Sequence, residues 1–208
     1  MLRIVLSTAL LLLLSIPEDG SAMRVKLLTL GQMVEQAEIV FVGRCLTSTA
    51  QDDPQFGQTV TVIEFEVVEA LKGQLSETHT LKQYGGTGES TSHRIAGMPT
   101  YTPGEDVILF LYGESQYGLA SPVGISQGKF TFVGDDDSSS PSMIVNSINN
   151  NGLLEGLGRH ALMNANRLDE PKRKAIQRLV RGNRGPIPYE DFLLITKTLI
   201  GRDENQEE

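Results

Sequence analysis

The sequence predicts a mainly β fold: a small Greek-key barrel of five to seven strands, with a short N-terminal helix and a C-terminal helical extension. Three observations carry this reading. Across residues 59–71 side chains alternate, with Ile63, Phe65 and Val67 on one face and Glu64 and Glu66 on the other. Residues 106–112 are apolar on both faces, as in a strand covered on both sides. A helical period shows only near the two ends, over residues 29–37 and beyond residue 169.

The chain begins Met1-Leu2-Arg3, runs through an apolar stretch over residues 4–16, and then offers Gly20-Ser21-Ala22 as small residues before Met23. That is the pattern of a secretory signal peptide over residues 1–22, since the apolar run falls short of the roughly 18 residues of a membrane span. A secreted or periplasmic protein is therefore expected, without a membrane span in the mature chain. Residues 23–148 read as the barrel domain and residues 149–208 as a linker, two helices and an acidic tail. With 18 Lys and Arg against 26 Asp and Glu, the net charge of −8 argues against nucleic acid as a partner. Cys45 is the one cysteine, so no internal disulfide forms, and its expected place is the core.

Thr29 is a plausible N-cap, and Leu30, Met33, Val34 and Ala37 form one apolar stripe. Residues 38–46 read as a strand bent at Gly43. The polar residues 47–57 read as a turn. Val60 and Val62 lie on the face of residues 59–71 that later carries the glutamates, which predicts a bulge near Val62. Residues 78–84 form a third strand. The glycine-rich residues 85–104 have no usable period, and a compact domain rarely keeps such a loop without using it. Residues 117–120 read as a short strand, residues 129–133 as a strand with Phe130 and Phe132 inward, and residues 143–147 as its hairpin partner. A helix over residues 169–180 offers Ile176, Leu179 and Val180 as its stripe. The last helix, residues 188–200, offers Phe192, Ile195 and Leu199.

Five strands in this order are what an OB-type barrel needs. The blocks Ala37-Glu38-Ile39-Val40-Phe41-Val42-Gly43-Arg44, Glu64-Phe65-Glu66-Val67-Val68-Glu69-Ala70-Leu71-Lys72-Gly73 and Pro103-Gly104-Glu105-Asp106-Val107-Ile108-Leu109-Phe110-Leu111 resemble the inhibitory domain of the tissue inhibitors of metalloproteinases and the wider netrin-module barrels. They are more similar still to exported bacterial proteins of an uncharacterised family built on that plan. The resemblance spans residues 29–133 and implies the barrel fold. Those inhibitors chelate the protease zinc through an N-terminal Cys; this chain has only Cys45, so no inhibitory residue carries over.

Little in the sequence suggests catalysis. Gly124-Ile125-Ser126-Gln127-Gly128 matches a G-x-S-x-G pattern, but strand rather than helix follows it, so a turn entering a strand is the better reading than an esterase with Ser126. His79, His93, His160 and Cys45 lack metal-ligand spacing, and no metal or cofactor is expected. His79 is expected to share a strand face with Leu81. Asp135, Asp136 and Asp137 read as a hairpin tip, and Gly85-Gly86-Thr87-Gly88 as a loop without the Lys of a phosphate cradle. Arg167, Lys172, Arg173, Lys174, Arg178, Arg181 and Arg184 outnumber Asp169 and Glu170, a bias that suits a solvated helix face better than a polyanion site. The expectation is a non-catalytic exported binding module, its partner an exported or cell-envelope protein, with inhibition of an exported metalloprotease as the alternative. The candidate surface lies where residues 48–58 approach residues 85–104: Phe56, Tyr84 and Tyr101 as aromatic anchors, with Gly85, Gly86 and His93.

Overall fold

The computed structural model describes residues 26–87, 92–93, 95–134, 142–157, 169–181 and 184–203. In chain order the elements are α1 (Leu30–Gln36), β1 (Ile39–Asp53), β2 (Gln58–Lys72), β3 (Thr78–Tyr84), β4 (Gly86–Thr87), β5 (Ser92–His93), β6 (Asp106–Leu111), β7 (Lys129–Val133), β8 (Met143–Asn146), α2 (Glu170–Arg181), β9 (Ile187–Pro188) and α3 (Tyr189–Asp203). Among the described residues the fold is mainly β. Seven strands make one antiparallel sheet in the order β3-β2-β1-β6-β7-β8-β9, and β4 pairs with β5 apart from it.

The sheet is not closed: β3 and β9 are its edges. The approach to closure is local. After β6 the chain returns through Pro122, which bridges to Leu111, and Ala120 N–H donates to the Lys82 carbonyl of β3 at 3.0 Å. Residues 117–120 thus form no strand of their own. A proline two residues on has no N–H with which to continue a ladder.

Strand β1 runs seven residues beyond the expected end at Leu46, as far as Asp53. Residues 47–53 pair residue by residue with 58–64, so the turn shrinks to residues 54–57. No bulge sits near Val62. The register shifts lie instead between Val40 and Phe41, Val42 and Gly43, and Cys45 and Thr47, leaving Leu71, Val68 and Leu46 without a cross-strand partner. Gly43 explains one of them: a Cβ there would stand 2.6 Å from the Glu66 carbonyl and 2.8 Å from the Phe41 ring.

Each face of the sheet carries a core. On one, Phe41, Cys45, Ile63, Phe65, Leu81 and Tyr101 meet Val107, Leu109 and Leu111. On the other, Val40, Val42, Ile108, Phe110, Phe130 and Ile144 meet the three helices. Strand β6 feeds both cores, as its sequence predicts. The helix-side core centres on Phe110, Phe130 and Phe192, all with no exposed surface and with ring centroids 4.9–6.2 Å apart. Each such burial contributes about 1.5–3 kcal/mol.

Helix α1 starts with a capping box in which Thr29 Oγ1 accepts from Gln32 N–H and Gln32 Oε1 accepts from Thr29 N–H. Helix α2 docks through Ala175, Ile176 and Leu179, while Val180, expected in that stripe, is exposed. Helix α3 docks through Phe192, Ile195 and Ile200; Leu199 is only partly buried. Arg178 makes a two-pronged ion pair with buried Asp191, fastening the two helices together. No helix among the described residues is long and apolar enough to cross a membrane. The proposed leader, residues 135–137, His160 and the last five residues lie outside the described residues.

Candidate functional site

At one end of the sheet a cavity of about 280 Å³ opens between the far halves of β1 and β2, the end of β3 and residues 95–101. Ser48, Ala50 and Thr61 line it from the paired strands, Gln83 and Tyr84 from β3, Gly85 and Gly86 from the chain just beyond it, and Ile95, Met98, Pro99, Thr100 and Tyr101 from the connection. The expected meeting of the β1–β2 region with residues 85–104 therefore exists. Its floor is strand, since residues 48–53 are not loop.

Gly85 and Gly86 let the chain leave β3 across the ends of its neighbours. Gly85 N–H donates to the Thr59 carbonyl at 3.0 Å, and Thr61 Oγ1 donates to the Gly85 carbonyl at 2.7 Å. Gly86 takes φ +146°, and a Cβ on it would lie 2.6 Å from Thr61 Oγ1 and 2.9 Å from Ala50 Cβ. Only glycine fits there without pushing the strands apart. Gly86 then pairs with His93 in the two-residue ladder of β4 and β5.

The other wall is braced from β7. Lys129 Nζ donates to the Thr100 carbonyl at 2.6 Å and to Glu105 at 2.8 and 2.9 Å, and stands 4.6 Å from the centre of the Tyr101 ring. The Tyr101 ring packs edge-on against Phe65 at 5.3 Å. Tyr101 is only 6% exposed and Gln83 only 5%. Burial pushes the Tyr101 phenol well above its ordinary value, so its proton stays on oxygen. Gln83 Nε2 donates to the Pro99 carbonyl at 3.0 Å. That carbonyl can only accept, which settles the amide orientation and leaves Gln83 Oε1 as a free acceptor. Neither Gln83 Oε1 nor the Tyr101 hydroxyl has a hydrogen-bond partner, although both are buried. Unpaired buried polar atoms are few in folded proteins.

Of the expected anchors, Tyr101 is a wall of the cavity and part of a core, not an exposed contact. Tyr84 follows Gln83 directly, and its ring takes the opposite face of β3. There it packs with Phe56 at 5.4 Å, and Phe56 packs with Tyr117 at the same distance. The hairpin tip that carries Phe56 is held by Asp53, which accepts from the Gln55 and Phe56 N–H groups and pairs with Lys82 at 2.5 Å. The Lys82 bond, more than any other contact, holds the Asp53 carboxyl below its usual range. Gln83 was missed by sequence reasoning; its signal was its place two residues after Leu81, on the inward face.

The remaining candidates are accounted for by packing. His79 stacks edge-on against Phe41 at 5.4 Å, and burial lowers its tendency to take a proton. Cys45 is 1% exposed; its thiol points to the Thr47 carbonyl at 3.5 Å, and burial raises its pKa. A thiol placed there does not reach a metal on another protein. Ser126 lies in turns that lead into β7, with its Oγ 2.7 Å from Ser147 Oγ. Around α2, Lys172 pairs with Asp169, and Arg173 and Lys174 with Glu170. Among the described residues no three His, Cys, Asp or Glu side chains converge as a metal site. No family model, no curated protein and no solved structure matches this chain.

Proposed function

We propose that this protein is an exported, non-catalytic binding module that offers one end of its sheet to a partner, an exported or cell-envelope protein or another ligand. The observation that supports it is the cavity beside residues 95–101, lined by two residues, Gln83 and Tyr101, that each bury a polar atom without a partner. Leaving a buried donor or acceptor unpaired costs about 1–3 kcal/mol, a burden more typical of binding sites than of inert cores.

The test compares partner recovery from an exported-protein extract by the unaltered chain and by Met98→Arg, which places a charge at the cavity rim. Val180→Asp on exposed helix α2 serves as the distant control. The expected result is loss of recovery with Met98→Arg alone. Equal recovery by all three, with folding intact by circular dichroism, discards this surface.

A further inference from the structure

The open sheet has two edges, and they are finished differently. Strand β9 is two residues long and ends in Pro188, which has no N–H to offer. Strand β3 runs for seven residues. Gly85 N–H donates to the Thr59 carbonyl at 3.0 Å and Val67 N–H to the Glu77 carbonyl at 2.8 Å, and the register between these bonds is unbroken. In an antiparallel ladder such bonds recur at every second residue. Residues 79, 81 and 83 therefore turn their main chain to β2, and Thr78, Thr80 and Lys82 turn theirs outward. The Lys82 carbonyl accepts from Ala120 N–H, which closes that half of the edge. Among the described residues nothing bonds the outward groups of Thr78 and Thr80, and both residues are exposed. Proteins commonly block such an edge with Pro, Lys or a bulge, and residues 78–81 carry none of these.

The sheet face beside this opening is acidic. Glu66 and Glu64 of β2 stand opposite Thr78 and Thr80, so the four side chains share one face. Glu64 accepts from Thr47 Oγ1 at 3.2 Å. Glu66 faces Arg44 of β1, whose guanidinium is bound to Asp106 at 2.7 and 3.0 Å. One cation thus serves three carboxylates. The helices stop short of this region: Lys197 of α3 reaches Glu69 at 2.5 Å, while Glu64 and Glu66 are exposed.

A strand added to β3 would lie about 10 Å from β2, a gap that an extended Lys or Arg side chain and a Glu side chain bridge between them. Glu64 and Glu66 are about 7 Å apart along β2, the spacing of alternate residues on any extended segment. A second copy of β3 brings no free cation to them, because its Lys82 is held by Asp53 and by the Tyr117 carbonyl.

We infer that the start of β3 is a docking edge for an extended, basic segment of a partner protein, which pairs its main chain with Thr78 and Thr80 and sends Lys or Arg side chains from alternate positions to Glu64 and Glu66. In strand addition the main-chain bonds supply affinity and the side chains select the sequence. This edge is separate from the cavity, which takes the other end of β3.

The full chain, labelled with nitrogen-15, is titrated with a capped hexapeptide of threonine and valine that carries lysine at its second and fourth positions, and amide signals are followed by NMR. One comparison peptide has glutamate in place of both lysines. Another has a methyl group on the main-chain nitrogen of each lysine, which removes the donors facing β3. The expected result is saturable movement of the Thr78 and Thr80 signals with the lysine peptide, weakened by salt. Binding falls about tenfold or more with either comparison peptide and in the double variant Glu64→Gln, Glu66→Gln. Thr80→Pro removes an outward N–H without touching the bonds to β2 and should abolish binding. If Thr80→Pro fails to fold, the methylated peptide decides the main-chain part.

Four results overturn the inference: unmoved Thr78 and Thr80 signals, equal binding of either comparison peptide, affinity unchanged in the double variant, or movement of the same signals on dilution of the unliganded chain, which would make the edge a contact between copies. Met98→Arg should bind the lysine peptide as the unaltered chain does, so this result and the recovery test of the cavity are read independently.

Discussion

Two buried glutamines, one on each side of this protein, are used in opposite ways. Gln127 is 1% exposed, and both ends of its amide are engaged: Oε1 accepts from Leu28 N–H at 3.0 Å, and Nε2 donates to the Lys26 carbonyl at 2.9 Å and the Gly124 carbonyl at 3.4 Å. Its own carbonyl accepts from Asn146, whose Oδ1 takes the Asn150 and Ile148 N–H groups. Asn150 returns bonds to Asn146 N–H and to the Ile144 and Gly185 carbonyls. Gln83, equally buried, has one end bonded to Pro99 and the other to nothing. Burial alone therefore does not distinguish a structural polar residue from a candidate binding one. What differs between these two glutamines is whether every lone pair and proton of the amide is used.

The Gln127 side should yield the larger effects. Phe130→Ala empties the centre of the three-phenylalanine core and is expected to cost about 3–5 kcal/mol in denaturant unfolding. Gln127→Leu strips the Leu28 N–H and Lys26 carbonyl of their partners and is expected to cost about 2–3 kcal/mol by the same measurement. His79→Phe probes the opposite core through pH. Because burial depresses the folded-state pKa of His79, the unfolded chain binds the proton more readily. Its contribution is then complete above the ordinary value near 6.5 and declines as pH falls through that value toward the folded one. The unaltered protein should lose midpoint stability between about pH 7.5 and 5.5, and His79→Phe should flatten that slope.

The smallest change is expected for Tyr101→Phe, neutral or stabilising by up to about 1 kcal/mol, since it removes a hydroxyl that bonds to nothing in the folded chain. Gln83→Leu should cost no more than about 1 kcal/mol, for the single bond to Pro99. If Gln83→Leu proves as damaging as Gln127→Leu, the contrast between the two glutamines collapses.

Strands β2, β3 and β6 were legible because their alternation or doubly apolar pattern reports burial directly. The extension of β1 through residues 47–53 was not. Its Thr, Ser, Ala, Gln and Asp residues carry no apolar period, and only main-chain pairing with β2 keeps them extended. Val60 is buried without a bulge on the face that carries Glu64, so the face change that prompted the bulge is a change of cover along an unbroken strand. At the site, the glycines and the long connection were readable as a loop without helical or strand period, and Tyr101 as an aromatic within it. Its depth was not, because that depends on Lys129 and Phe65, which come from β7 and β2. Phe56 and Tyr84 read as anchors from composition alone, yet strand alternation sends the Tyr84 ring away from the cavity. A Gln at a strand end looks solvated until the segment of Pro99 closes over it.

The first described residues are sewn to very late ones: Lys26 and Leu28 to Gln127, and Leu30 N–H to the Leu153 carbonyl at 2.8 Å. Synthesis delivers the chain from its amino end at about 5–20 residues per second. For several seconds, then, Lys26, Leu28 and Leu30 wait for the partners that complete these bonds. A truncation before residue 127 would lengthen that wait indefinitely.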